Sequence, residues 1–214
     1  MTKDKDYRIT DYCPPFEHIE EKKERLERKI KSERPKTRIM YYKVHERKGT
    51  YHDEFAEIYN KRCAYCGAMW GLLPTEYFEV DHFINEDSFP DTTEGRAEAG
   101  KMKNLVWSCI KCNRSKRELT IVPPYDDVLN TDNENIAHVF TRDKLYNILI
   151  SDTYQKDLFM QKFYKKLGLE HEVRRLDYFA LELYHKYRNE KDTDKKRGFS
   201  EALTLLLTKR NRIK

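Results

Sequence analysis

The chain has 214 residues, 37% of them charged, and a formal net charge of +5 at pH 7, with a mean hydropathy of −0.94 and a pI near 8.8. That length can bury a real core, and 15 Tyr with 10 Phe argue against disorder, because disordered segments are poor in aromatics. No apolar run approaches the ~20 residues a bilayer demands, and residues 1–30 contain no apolar stretch of the secretory kind, so we expect a cytoplasmic protein with no membrane partner.

Residues 1–16 are polar and end in Cys13-Pro14-Pro15-Phe16, where paired prolines favour an extended arm. Residues 17–34 lack breakers and stop before Pro35; they read as a helix whose narrow stripe, Ile19, Leu26 and Ile30, suits a surface position. The segment 38–44 (R-I-M-Y-Y-K-V) has strand composition, and 51–62 reads as a helix with Phe55, Ile58 and Tyr59 on one face. Strands follow at 77–83 and 105–108. Between them, 84–102 is too long for a turn and carries Glu86, Asp87, Asp91 and Glu94, so it reads as an insertion, a lid or a specificity loop. A short helix should run from 109 to about Glu118. Residues 125–135, acidic and Asn-rich, read as a linker. Beyond it, 142–150, 154–167, 170–189 and 199–207 show helical spacing of apolar residues, with Gly168 and Gly198 as terminators. The organisation we expect is a charged, partly helical arm (1–50), a functional core (51–125) and a helical region (126–214).

Two Cys-x-x-Cys pairs, Cys63/Cys66 and Cys109/Cys112, supply four soft thiolates, the ligand set of tetrahedral structural Zn²⁺. Gly67 follows the first pair, where a knuckle turn needs positive φ. Cys13 is left over as a free thiol, which fits a reducing compartment. The pairs bracket Asp81-His82, and Asn113 stands directly behind the fourth cysteine. In these features, over about a quarter of the chain, residues 63–116 resemble the zinc-containing branch of the HNH endonucleases.

The resemblance implies an α+β protein: a zinc-stapled ββα-metal core with mainly α-helical N- and C-terminal additions. It implies that His82 is the general base, that Asp81 and Asn113 hold a catalytic Mg²⁺ or Mn²⁺, and that Asn104 braces the loop bearing the base. The chemistry of the residues is consistent with those roles. An imidazole accepts a proton near neutral pH, and oxygen donors match a hard cation that neutralises charge on a phosphate. Adjacent strand residues face opposite ways, so the strand must end or bulge at Asp81-His82 if both are to serve one site. Lys116 and Arg117, one turn beyond Asn113, would hold phosphate. They belong to a basic block with Lys101, Lys103, Lys111 and Arg114 that only Glu118 opposes. Two departures from the family pattern stand out: Phe83-Ile84-Asn85 replaces the proline many relatives carry shortly after the histidine, and the insertion is long and acidic.

The expected activity is therefore metal-dependent hydrolysis of phosphodiesters in double-stranded DNA, with restriction or phage defence as one setting. The alternatives are an RNase or nicking enzyme on structured nucleic acid, or an inactive zinc-stabilised binding or assembly module. No G-x-x-x-x-G-K-[ST] loop is present, so any ATPase in such a system would be a separate partner subunit; a homo-oligomer is a further expectation. Trp107 reads as core. His45 and His52 either line the cleft or are satisfied elsewhere.

Overall fold

The computed structural model describes residues 5–47, 49–117 and 119–213, apart from the side chain of Thr75. It is a mixed helical and sheet structure with small antiparallel sheets around a buried four-cysteine cluster. Helix α1 (Ile19–Glu33) buries the expected stripe of Ile19, Leu26 and Ile30, together with Lys23. Lys23 is paired with Asp132, an aspartate that also accepts from the Tyr59 hydroxyl at 2.6 Å. The stretch read as a linker is thus anchored to the core through Asp132 and contains the one-turn helix Tyr125–Val128.

The segment expected as a strand at 38–44 instead forms a helical turn, α2 (Tyr41–Val44). Met40 and Val44, four apart and both buried, share a helical face, so their burial outweighs β-propensity. Helix α3 (Thr50–Ile58) leads into the first cysteine knuckle. Strands β1 (Phe78–His82) and β2 (Leu105–Cys109) pair antiparallel, with Asp81 opposite Val106 and His82 opposite Leu105. Strand β2 is buried along its whole length. The connection between them contains α4 (Thr93–Ala99), capped by the Thr92 hydroxyl, which accepts from the Gly95 amide at 3.0 Å. Helix α5 (Ile110–Lys116) follows β2 without a loop.

The C-terminal part opens with α6 (Tyr125–Val128) and α7 (Asn135–Val139). A helix was expected at 142–150; the chain forms a hairpin there, β3 (Phe140–Arg142) with β4 (Ile148–Ile150). The reason is turn chemistry: the Asp143 carboxylate accepts from the backbone amides of Leu145 and Asn147, both at 2.8 Å, and such a side-chain-to-backbone turn competes with helix. Helices α8 (Leu158–Lys166), α9 (Glu172–Asn189) and α10 (Thr193–Arg212) complete the chain. Gly168, at φ 57, ends α8 as expected, but Gly198 lies inside α10. Asp192 caps that helix, its carboxylate accepting from the Lys195 amide at 2.9 Å, so helix formation begins before the glycine and overrides its ~1 kcal/mol cost. Helix α10 buries none of its residues and lies along α9. No helix among the described residues is long and apolar enough to cross a membrane.

Candidate functional site: a cysteine knuckle beside a polar cleft

Two pieces of backbone deliver the cysteines. Cys63 and Cys66 lie on the loop after α3. Cys109 is the last residue of β2, and Cys112 lies in the first turn of α5. The amide of Ala64 donates to the carbonyl of Trp107 at 2.8 Å, which ties the loop to β2. Gly67 adopts φ 76, and a Cβ there would come within 2.4 Å of the Arg8 carbonyl oxygen. No other residue therefore fits this turn without strain. The four buried sulfurs lie within 4.8 Å of one another. Tetrahedral Zn–S bonds of 2.3 Å place sulfurs about 3.8 Å apart, and the Cys66 and Cys109 sulfurs are 3.8 Å apart. The cluster can hold a metal ion such as zinc.

A cleft of about 350 Å³ opens beside this knuckle, lined by Tyr41, Asp81, His82, Glu86, Asn113 and Arg117 among others. Strand β1 ends at His82, and the last two strand residues both border the cleft. The Asp81 side chain is 6% exposed. Its Oδ2 accepts from the Tyr65 hydroxyl at 2.7 Å and lies 3.5 Å from the Lys116 ammonium. Burial pushes the Asp81 carboxyl up to about 6, opposed by Lys116 and by the Tyr65 hydrogen bond. The His82 ring packs on Tyr41 with centroids 4.3 Å apart. Burial, then the positive charge of Lys116, lower its pKa to about 4, so the imidazole is neutral at neutral pH and a weaker base than a free histidine.

Asn113 donates from Nδ2 to Glu79 at 2.9 Å. That bond engages the amide nitrogen, and the amide oxygen is the end that binds a hard cation. Asn104 stands behind the loop after His82. Its Oδ1 accepts from the Ile84 amide at 2.8 Å, and its Nδ2 donates to the carbonyls of Ile84 and Ala99 at 3.0 and 2.8 Å.

The sequence predicts Lys116 as a cation reaching for phosphate; it borders the cleft, but the structure turns its ammonium inward. It is 2% exposed, and its ammonium donates to the carbonyls of His82 and Phe83 at 2.7 and 3.0 Å. Its helix position points it under the hairpin rather than outward, so it fixes the end of β1. Arg117 remains exposed at the cleft edge. Trp107 is fully buried, stacked on Phe78 at 5.9 Å. His52 is buried against Trp107, at 5.1 Å, and His45 stacks on Tyr41 at 4.7 Å.

Four further residues contribute to the site. Glu79, two residues before Asp81, was detectable from the period-two alternation of a strand. Tyr65 lies inside the first knuckle, between its cysteines. Tyr41 and Arg174, the latter donating to the Cys66 sulfur at 3.0 Å, carry no local signal. A second cleft, of about 560 Å³, lies between α1 and the connection from β1 to β2. It reaches Asn104 from the far side but contains neither Asp81 nor His82. No protein-family model matches this chain, and no curated protein or solved structure matches it.

Proposed function

We propose that the chain is a metal-dependent endonuclease of the HNH type, acting on phosphodiester bonds of double-stranded DNA. The observation that carries this reading is the convergence of Asp81, His82 and Asn113 on one cleft at the end of a two-stranded hairpin and the start of the following helix, braced by Asn104. The four cysteines would hold a structural Zn²⁺. Asp81 and Asn113 would hold Mg²⁺ or Mn²⁺. The buried Asp81 carboxyl, whose charge burial disfavours, and an amide oxygen of Asn113 are oxygen donors that fit a small hard cation. Such an ion supplies charge neutralisation at the phosphate.

The protein's own groups do the rest. His82, held neutral, removes the proton from the attacking water. Tyr41 limits the rotation of its ring, and Lys116 pins the carbonyls of residues 82 and 83 so that the base stays at the strand end. Arg117 lies where it can meet a phosphate oxygen. A positioned general base of this kind contributes about 10² to 10⁴ in rate. A separate ATPase, a second copy of the chain and a cytoplasmic defence role are compatible additions to this proposal, but they do not carry it.

The test incubates the protein with duplex DNA, single-stranded DNA and structured RNA, each with Mg²⁺, with Mn²⁺ and with chelator. Metal-dependent cleavage of duplex DNA is expected. Cleavage confined to RNA would transfer the same mechanism to the alternative substrate. Binding without cleavage of any of the three would favour an inactive nucleic-acid-binding module.

A further inference from the structure

Four thiolates around one divalent cation carry a formal charge of −2, and here they are wholly buried. Buried charge is costly unless it is compensated. The compensating group does not come from the knuckle sequence. It is Arg174, in the first turn of α9, far downstream of the last cysteine. Arg174 is 2% exposed, and its guanidinium grips both halves of the cluster: Nη1 donates to the Cys66 sulfur at 3.0 Å and Nη2 to the Cys112 sulfur at 3.4 Å. Its other bonds go to carbonyls at the end of α8, from Nη2 to Leu167 at 2.7 Å and from Nε to Gly168 at 3.2 Å. None of these bonds reaches a carboxylate; with a metal bound, the sulfurs would be the anions this guanidinium touches, and Asp177 acts on it only through its charge. One sulfur comes from each Cys-x-x-Cys pair, and the planar guanidinium presents its N–H donors in a fixed fork that spans the two, where the donors of an ammonium carry no such fixed geometry.

We propose that Arg174 is the counter-cation of the metal centre, bridging its two cysteine pairs by N–H···S bonds and thereby making metal retention depend on the docking of α9. The proposal rests on the reading that the cysteines hold zinc, and it assigns to the C-terminal helices a part in that site. Outer hydrogen-bond partners of this kind typically change metal affinity by about 10- to 100-fold.

The test uses the full chain. Zinc content of the wild type is measured first, followed by the rate of zinc transfer to a chromophoric chelator and the thiolate-to-metal charge-transfer band after Co²⁺ exchange. Arg174→Met is expected to release zinc about 10- to 100-fold faster and to shift the band. Arg174→Lys, which keeps the charge but loses the fork, should release zinc at an intermediate rate, and it carries the test if the Met variant does not fold. Leu176→Ala, which loosens the same helix at a buried apolar site, should leave the band in place. Wild-type release and an unshifted band in both Arg174 variants would overturn the inference while leaving the zinc reading intact. A wild type that binds no metal would overturn the zinc reading and the inference together.

Discussion

At Asp81 one carboxyl group serves two environments. Burial raises its pKa to about 6, while Lys116 and the Tyr65 hydroxyl pull it back. The carboxylate, not the acid, binds a cation, so the sign of the pH effect follows directly. If Asp81 holds the proposed ion, protonation as pH falls through about 6 would displace it, and the apparent Mn²⁺ dissociation constant should rise about tenfold per unit below that point while staying flat above pH 7. His82, at about 4, stays neutral over this range, so the acid limb belongs to Asp81. Tyr65→Phe deletes a donor that favours the charged form and should move the break to higher pH. Calorimetric Mn²⁺ titrations between pH 5 and 8 check both statements, and an affinity independent of pH would contradict them. At this scale the shared placement of Asp81, His82 and Asn113 on one cleft was legible from their spacing relative to the cysteine pairs. Lys116 was misread because the spacing of a cation along a short helix does not say whether it faces water or the hairpin above. Arg174 was beyond reach, since a contact made across the fold leaves no trace in neighbouring residues.

At the level of elements, the knuckle, the two strands of the hairpin and helix α5 follow from their composition. Helices α1 and α9 were found close to their observed limits for the same reason, an apolar stripe at helical spacing. The errors share a cause: local signals of comparable strength were weighed without their tertiary partners. The Asp143 turn defeated a helical pattern, the burial of Met40 with Val44 defeated a strand pattern, and the Asp192 cap carried α10 through Gly198. Two glycines test this contrast. Gly67→Ala forces a side chain into the left-handed region and against the Arg8 carbonyl, and should cost more than about 2 kcal/mol. Gly198→Ala meets no atom within 4 Å and should stabilise by about 0.5 to 1 kcal/mol. Denaturant midpoints of the metal-loaded protein measure both; equal effects of one sign would refute the assigned backbone roles.

Over the whole molecule, the hydrophobic core runs from Tyr7 through the knuckle and hairpin to Leu169, so the site is held by segments from both ends of the chain. The Tyr7 hydroxyl donates to the Tyr65 carbonyl, and the Arg8 guanidinium donates to the Ala64 carbonyl at 2.8 Å. Tyr65 in turn reaches from the knuckle to Asp81. A metal in the knuckle would thus stiffen the loop that orients Asp81 in the neighbouring cleft. Such long-range support is the part of the design that composition and spacing could not disclose. The central claim is that His82 in this cleft is the base of a phosphodiester hydrolysis. It is tested most directly by single-turnover cleavage of labelled duplex DNA with saturating Mg²⁺, comparing wild type and His82→Ala at equal zinc content. The account predicts a loss of about 10² to 10⁴ in rate with zinc and fold retained; cleavage by His82→Ala at the wild-type rate would contradict it.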